Sequence, residues 1–361
     1  MTSKSGTLVY IGTYTRTGKS KGIYCYRMDQ ATGRLAFVDA TTGINNPSFL
    51  AIHPNGQYLY SVSEITEHDG RRTGTILSYA IDRASGKLKQ LNVQPTQGTG
   101  PCYVSVEKTG RYALVANYQS GSAAIFKIQL DGSLGAASDS RQHEGSSINK
   151  DRQAGPHAHC IIPDPTNKFA FVNDLGADKV IVYRLDLKAG KLVPNDVPPT
   201  SVKPGFGPRH LDFHPNGKLV VVIHELGNMI TSYAYDSNKG SLKEIQTVPT
   251  LPADWNGSNT TADIHISPDG KFVYGSNRGH DSLVIYAIDG ASGKLTYVGH
   301  QSTGGKTPRN FAIDPSGAFL YAENQDSDTI HTFRIDRATG KLKDTGDITE
   351  VPSPVCLKFL P

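Results

Sequence analysis

The sequence predicts an all-β fold, a seven-bladed β-propeller whose ring is closed by pairing the C-terminal strand with the N-terminal strands. The first observation is a repeat: an apolar strand that ends in a Pro-x-Gly-like turn recurs about every 50 residues, the spacing of propeller blades. The second is that the two ends of the chain carry complementary parts of one further copy. The third is composition, because 37 Gly and 21 Pro accompany an absence of helical periodicity.

Each repeat begins with the strand and turn that define it. The complete copies read FLAIHPNG, YVSVEKTG, HCIIPDPTN, HLDFHPNG, DIHISPDG and NFAIDPSG, at residues 49–56, 103–110, 159–167, 210–217, 263–270 and 310–317. A second apolar strand follows each turn, for example YALVANY and LVVVIHE. A third leads into a D-x-x-x-G-K-L hairpin, as in TFRIDRATGKL, where Asp supplies a side-chain acceptor and Gly a positive φ. With a variable fourth strand, each copy makes one blade, and we number blades 1 to 6 in this order.

The chain ends predict the seventh blade. The chain begins with LVYIGTY and CYRMDQATGRL, which match second and third strands with no first strand before them. It finishes with PVCLKFLP, which matches a first strand. Joining the two ends closes the ring and removes exposed sheet edges. We therefore expect residues 1–361 to form one propeller domain.

Charge and motif content exclude several classes of function. The formal net charge is +4 and no Lys/Arg run occurs, so a nucleic-acid partner is not expected. No apolar run has the length of a signal peptide or a membrane span. Four widely spread cysteines match no zinc spacing and lie in strand patterns, which predicts buried free thiols and a cytoplasmic location. No dinucleotide or flavin motif appears, so we expect no cofactor. We also expect no bound metal ion. The expected oligomeric state is a monomer or a weak homo-oligomer.

The ends of the second strands are polar although the strands leading to them are apolar. We align their penultimate residues as Thr13, Ser63, Asn117, Asn173, His224, Asn277 and Asn324, and their last residues as Tyr14, Glu64, Tyr118, Asp174, Glu225, Arg278 and Gln325. Because unpaired polar groups are costly to bury, we expect these columns to face water or a ligand at one mouth of the central channel.

The starts of the first strands give a second ring at the same mouth. Six residues before each turn proline or its equivalent stand Ser48, Cys102, His159, Arg209, Ala262 and Arg309, with Val355 in the closing blade and His157 as the alternative in blade 3. The connection at residues 136–155 is unusually long for a propeller. We expect it to fold over the mouth and bring His143, Arg152 and Gln153 to the site.

Taken together, these motifs resemble the seven-bladed lactonase family, which includes propeller-type 6-phosphogluconolactonases and the fungal 3-carboxy-cis,cis-muconate lactonising enzyme. The resemblance covers nearly the whole chain, through VYIGTYT, HEGSSINKDRQAGPHAH, GPRHLDFHPNGK, HELGN, DIHISPDGKFVYGSNRGHDS and TPRNFAIDPSG. It implies an active site built from His157, Arg209, Glu225 and Arg278. His159 lies too near His157 in sequence for the two to be distinguished.

The resemblance favours hydrolysis of a sugar-acid lactone, with 6-phospho-D-glucono-1,5-lactone as the expected small anionic substrate. His157 or Glu225 is the expected base that activates water. Arg209 and Arg278 suit an oxyanion or a carboxylate, and Arg309 and Arg152 suit a phosphate. The remaining expected substrate-binding residues are His159, His143, Glu64, Asp174 and Asn277.

Three other functions are compatible with the same residues. A lactonising cycloisomerase acting on a carboxymuconate would use the same acid, base and arginine groups. Calcium-assisted lactone hydrolysis would use oxygen ligands from the set Glu64, Asn117, Asn173, Asp174, Asn277 and Asn324. A propeller that binds a ligand without turnover is the third, because a fold does not determine a function.

Overall fold

Seven antiparallel sheets form a closed ring in the computed structural model, which describes residues 6–361. The predicted seven-bladed propeller is confirmed. The three N-terminal strands are β1 (Thr7–Thr13), β2 (Ile23–Met28) and β3 (Leu35–Thr41). Blade 1 holds β4 (Leu50–Ile52), β5 (Tyr58–Ser63), β6 (Thr75–Ile81) and β7 (Leu88–Pro95). Blade 2 holds β8 (Pro101–Val106), β9 (Tyr112–Asn117), β10 (Ser122–Ile128) and β11 (Leu134–Gln142).

The next four blades repeat this order. Blade 3 holds β12 (Ala158–Pro163), β13 (Phe169–Asp174), β14 (Lys179–Asp186), β15 (Lys191–Pro194) and the short β16 (Thr200–Ser201), which pairs with β14. Blade 4 holds β17 (Pro208–Phe213), β18 (Leu219–His224), β19 (Met229–Asp236) and β20 (Ser241–Pro249). Blade 5 holds β21 (Thr260–Ile266), β22 (Phe272–Arg278), β23 (Ser282–Ile288) and β24 (Leu295–Ser302). Blade 6 holds β25 (Pro308–Ile313), β26 (Phe319–Asn324), β27 (Thr329–Ile335) and β28 (Leu342–Glu350).

The last strand, β29 (Pro354–Phe359), closes the ring by pairing antiparallel with β1. Val9 lies opposite Phe359 and Ile11 lies opposite Leu357. The N-terminal and C-terminal segments therefore share blade 7, as the sequence predicts. All four cysteines are buried and free, which confirms the predicted thiols.

The hydrophobic core lies between neighbouring blades, which is why most residues of the second strands are apolar. Every residue of β18 is buried. Val221 packs in one cluster with Val273 of blade 5, whereas Val222 packs with Phe171 of blade 3. Successive side chains of a strand point to opposite faces, so one strand contributes to two interfaces. Within residues 6–361 the structure has no helix of the length and apolarity that crossing a membrane requires.

The hairpins follow the predicted turn chemistry. In blade 5, Asp289 Oδ1 accepts hydrogen bonds from the backbone N–H groups of Ala291 (3.2 Å) and Ser292 (2.7 Å). Gly293 then adopts a φ of 71°, a conformation that glycine reaches without steric cost. These turns determine where each third strand ends, so they make the blades alike.

Candidate active site

A β-bulge at the start of the first strand aims one side chain of several blades at the same mouth of the channel. In blade 4, Pro208 pairs with His224 and His210 pairs with Ile223, which leaves Arg209 as the extra residue. The same register shift occurs in blades 2, 3 and 6, where the extra residues are Cys102, His159 and Arg309. Bulges redirect side chains in this way and recur next to active sites. In these four blades, the residue that stands six positions before the turn proline or its equivalent is therefore a bulge residue.

Glu225 is the centre of the site and contacts three arginines from three parts of the chain. Its Oε2 accepts from Arg209 Nε (2.9 Å) and lies 3.0 Å from Arg278 Nη2, while its Oε1 accepts from Arg152 Nη2 (2.6 Å). His159 Nε2 lies farther away, 3.9 Å from Oε2. Glu225 is the residue after β18, and its backbone N–H donates to Gly207 O of the preceding loop. The structure thus brings together five of the predicted site residues.

The charges in this cluster are strongly coupled. Burial alone would raise the pKa of Glu225, but Arg278, Arg209 and Arg152 outweigh it and hold that pKa well below its usual range. Burial and the nearby charges of Arg309 and Arg278 lower the pKa of Arg209 to about 10. Both groups therefore remain charged at neutral pH. A carboxylate held in this state by three guanidinium groups is a poor proton acceptor.

The long connection between blades 2 and 3 supplies Arg152, as the sequence predicts. The connection is anchored by Gln153, which is fully buried and donates from Nε2 to Leu175 O (2.9 Å). Arg152 Nη2 also donates to the hydroxyl of Tyr118 (3.1 Å). Because 38% of the Arg152 side chain stays exposed, this guanidinium lies at the solvent side of the cluster.

His157 lies beside this cluster and has one free ring nitrogen. Its ring stacks on Tyr118, with the centroids 4.6 Å apart. Its Nδ1 lies 2.9 Å from Tyr118 O, a carbonyl that can only accept, so Nδ1 carries the proton. Within residues 6–361 no group forms a hydrogen bond with His157 Nε2, so this nitrogen is left for a ligand.

His159 occupies a different environment from His157, although the two are neighbours in sequence. It is buried, and its Nδ1 lies 3.8 Å from the thiol of Cys102. Burial and the charge of Arg209 hold its pKa well below the usual range. His159 is therefore neutral and packs beneath the arginines.

A second carboxylate, Glu64, forms the other half of the mouth. Its Oε2 accepts from the hydroxyls of Tyr14 (2.9 Å) and Ser48 (2.5 Å). The Arg309 guanidinium carbon lies 5.4 Å from the centre of the Tyr14 ring. Burial lowers the pKa of Arg309, but Tyr14, Glu64 and Glu225 more than offset this and raise it. No group of residues 6–361 forms a hydrogen bond with the Arg309 guanidinium, so all its N–H donors remain available.

The penultimate column of the second strands does not line the channel, and this expectation is wrong. Asn277 is fully buried and donates from Nδ2 to Thr250 O (2.8 Å) and Ser282 Oγ (3.3 Å). Asn117 and Asn324 donate in the same way to carbonyls of the segments that join the preceding blade to their own. These amides pair with backbone carbonyls of the connections between blades, which offsets part of the cost of burying them, whereas the Oδ1 atoms of Asn117 and Asn324 have no hydrogen-bond partner within residues 6–361.

The alignment of blade 3 also needs correction. Asp174 pairs with Ala158 as His224 pairs with Pro208, so Asp174 belongs to the buried column and Leu175 takes the place of Glu225. Asp174 accepts from His157 N (2.8 Å) and lies 2.7 Å from His143 Nδ1, with both side chains buried. Among the described residues, neither His143 nor Asp174 forms an ion pair with the arginines or with Glu225. The structure leaves both outside the cluster.

Two tyrosines at the site carry roles that the sequence did not predict. Tyr118 connects His157 to Arg152, and Tyr14 connects Glu64 to Arg309. Both stand in the last column of the second strands, so their position was available as a signal. Across residues 6–361, no three His, Cys, Asp or Glu side chains converge as a group that can hold a metal ion.

The mouth therefore combines several arginine donors that can bind an anion with the imidazole of His157, whose Nε2 faces no protein partner within residues 6–361. Arg209 Nη2 and Arg278 Nη1 form no hydrogen bond with residues 6–361. These donors, Arg309 and His157 Nε2 are the groups left for a ligand. Such an arrangement suits the attack of water on an anionic ester, because a base and oxyanion donors are both present.

Comparison with known proteins identifies the family. A family model described as "Lactonase, 7-bladed beta-propeller" matches residues 8–359. A 6-phosphogluconolactonase of Bacillus subtilis is 38% identical over 357 residues, which cover 97% of each chain. A 6-phosphogluconolactonase of Formosa agariphila is 37% identical over 311 residues, covering 83% of this chain and 84% of the relative.

A solved structure gives the same result. The periplasmic gluconolactonase PpgL of Pseudomonas aeruginosa is 36% identical and superposes with a TM-score of 0.92 over 99% of both chains. With a matching family model, whole-length relatives and a shared fold, the chain belongs to the seven-bladed β-propeller lactonase family.

Proposed function

We propose that this protein hydrolyses the ester bond of 6-phospho-D-glucono-1,5-lactone to give 6-phosphogluconate. The observation that carries the proposal is the positive charge of the mouth beside the His157 imidazole. Arg152, Arg209, Arg278 and Arg309 bring four positive charges and Glu64 and Glu225 bring two negative ones, which leaves a net charge of +2. A phosphate monoester carries about −1.5 to −2 at pH 7 and offsets this excess.

His157 is the proposed general base. Its Nδ1–H is held by Tyr118 O, so Nε2 has a lone pair to accept a proton from water. The alternative base, Glu225, is disfavoured because three arginines occupy its carboxylate and keep its pKa low. Histidine is the side chain that most often serves as a general base near neutral pH.

Arg209 and Arg278, two of the three arginines that pair with Glu225, are the proposed oxyanion donors. As the water oxygen bonds to the carbonyl carbon, negative charge develops on the carbonyl oxygen. Arg209 Nη2 and Arg278 Nη1 are free to donate to it, while Glu225 holds both guanidinium groups in place. Donors that are already oriented stabilise the transition state without reorganisation.

The ring-opening step then completes the reaction in the same site. The bond between the carbonyl carbon and the ring oxygen breaks, and the ring oxygen takes the proton that His157 accepted from water. The carboxylic acid product loses its proton to solvent, so one water is consumed for each lactone opened. Arg309, on the Glu64 side of the mouth, is the proposed phosphate anchor because its guanidinium has no hydrogen-bonding partner within residues 6–361.

The test is a direct assay of the purified protein with freshly generated 6-phosphogluconolactone, corrected for spontaneous opening. Arg209→Ala should lower kcat by about 10²–10³-fold, the cost of removing one oxyanion donor. Arg337→Ala is the matched control, because this exposed arginine lies in the blade 6 hairpin and donates to Ser316 O. Both variants should keep the wild-type circular dichroism spectrum. Full activity in the Arg209 variant would overturn the assignment.

The same assay should include an unphosphorylated gluconolactone and a carboxylated muconate. The first tests the substrate after which the P. aeruginosa gluconolactonase is named, and the second tests ring closure by a lactonising isomerase. Turnover of the muconate in preference to both lactones would overturn the proposed hydrolase. The cytoplasmic location, the role in pentose phosphate metabolism, the oligomeric state and the single domain stay predictions.

A further inference from the structure

Arg209 is almost fully buried, and the structure accounts for the orientation of its guanidinium group. Its Nε donates to Glu225 Oε2 at 2.9 Å. Its Nη1 donates to Ala262 O and lies 3.3 Å from His210 Nε2. Within residues 6–361 no group forms a hydrogen bond with Nη2, so this nitrogen remains for a ligand. The groups on Nε and Nη1 therefore determine where Nη2 points.

His210 can accept from Arg209 only in one protonation state, and Asp263 determines that state. Asp263 Oδ1 lies 2.7 Å from His210 Nδ1. A carboxylate only accepts hydrogen bonds, so the proton of a neutral His210 is on Nδ1 and Nε2 keeps its lone pair. An imidazolium would instead direct an N–H at the N–H of Arg209. Burial and Arg209 lower the pKa of His210 to about 3, consistent with a neutral ring.

Asp263 is itself held on its other oxygen. Its Oδ2 accepts from Asn310 Nδ2 and lies 3.1 Å from His265 Nε2. Burial lowers the pKa of His265, but Asp263 and Asp212 outweigh burial and raise it to about 10, so His265 is charged. The four groups therefore form a chain of contacts in which charged His265 lies against the Asp263 carboxylate, Asp263 against neutral His210, and His210 against charged Arg209. Each neighbour stabilises the charge state of the next.

We propose that His210 and Asp263 act as a positioning pair that holds the Arg209 guanidinium with Nη2 toward the carbonyl of the bound lactone. The proposal rests on the proposed hydrolysis for its kinetic consequence, although the geometry of the pair does not depend on it. Neither residue needs to touch the substrate. They act through Arg209, in the way that groups behind a metal ligand orient that ligand.

Kinetics of paired variants test the positioning role. His210→Leu removes one of the two acceptors for Arg209 Nη1 and should lower kcat by about 100-fold, since a small misplacement of a catalytic group costs this much. KM should change much less, because Arg309 still binds the phosphate. His210→Gln keeps an amide oxygen at the same distance along the side chain and should recover at least a tenth of the wild-type kcat.

A matched control separates positioning from stability. His214→Leu replaces another buried histidine of blade 4, whose Nε2 lies 2.8 Å from Gly270 O, outside the arginine cluster. It should lower Tm and leave kcat near the wild-type value. If His210→Leu affects kcat no more than His214→Leu does, or if His210→Gln is as impaired as His210→Leu, the positioning role is overturned.

Nitrogen-15 NMR of the histidine side chains tests the pair without any assay of turnover. The His210 signals, assigned by their loss in His210→Gln, should show a protonated Nδ1 and an unprotonated Nε2 at pH 7. In Asp263→Asn, the Nε2–H tautomer or the imidazolium should become populated. A wild-type His210 that is protonated on Nε2 overturns the pair. If the protein has no lactonase activity, the proposed function fails while this spectrum still decides the geometry.

Discussion

Replacing Glu225 by Gln removes one negative charge from between three guanidinium groups and changes the side-chain volume little. In the wild-type protein Arg209, Arg278 and Arg152 all lie within 3.0 Å of its carboxylate, and its side chain is only 5% exposed. Glu225→Gln leaves these arginines facing one another without their shared counter-ion. Removing one partner of a buried ion pair costs about 3–5 kcal/mol of unfolding free energy.

This cost converts to a measurable shift in Tm. At about 2.1 cal/mol/K per residue, the unfolding entropy of 361 residues is about 0.76 kcal/mol/K. The expected decrease in Tm for Glu225→Gln is therefore about 4–7 °C by differential scanning calorimetry at pH 7. Inorganic phosphate should raise the Tm of the variant more than that of the wild type, because a bound anion replaces the missing charge.

The pH dependence has a defined sign. The three arginines hold the pKa of Glu225 below its ordinary value, so its contribution to stability is present above the ordinary glutamate pKa and is lost as the pH falls. The difference in Tm between wild type and variant should therefore shrink in acid. Glu350→Gln, at an exposed position of β28, is the control and should show no difference at any pH. A Glu225→Gln protein as stable as the wild type at pH 7 would refute this account of the cluster.

Four further predictions concern the same channel. His157→Gln should lower kcat by about 10²–10⁴-fold with little change in KM, because it removes the proposed base; an unchanged kcat contradicts that role. Arg309→Gln should raise KM for the phosphorylated lactone by at least about tenfold and leave KM for the unphosphorylated lactone unchanged, since a charged hydrogen bond contributes about 1.5–3 kcal/mol. Burial and Asp263 hold the pKa of Glu323 well above its usual range, so the stability of the wild type should decrease as the pH rises. Because glutamine does not titrate, the Tm of Glu323→Gln should fall less over the same pH range. Chelation of divalent cations should not lower turnover, because the positive charges of Arg209 and Arg278 would repel a cation at this mouth. Loss of activity with EDTA that Ca²⁺ restores counts against the arginine mechanism.

Much of the site could be located by counting along the repeat. The position six residues before the turn proline identifies Arg209 and Arg309, and the structure explains why, because both are bulge residues. The last column of the aligned second strands identifies Glu225 and Arg278, whose side chains contact each other at 3.0 Å. Identical positions in different blades lie on one ring, so a column in the sequence predicts neighbours in space.

The alignment that places Asp174 of blade 3 beside Glu225 of blade 4 is shifted by one residue, and the sequence contains the information that corrects it. Asn167 has a φ of 61° and takes the place that Gly217 has in blade 4. Asp174 follows Asn167 by seven residues, as His224 follows Gly217. Counting from the left-handed turn residue would have placed Asp174 in the buried column. The contact between Asp174 and His143 cannot be predicted in this way, because the repeat does not relate residues of the long connection to residues of the strands.

The number of blades, the closure of the ring and the positions from which side chains reach the mouth are all encoded locally in the sequence. They follow from patterns of apolar residues and turns that repeat along the chain. Which of those side chains meet is visible only in three dimensions. Arg152 reaches Glu225 across 73 residues because a loop anchored by buried Gln153 carries it there. Such a contact depends on the path of an irregular segment and on the charge balance of a buried cluster, which no periodic pattern encodes.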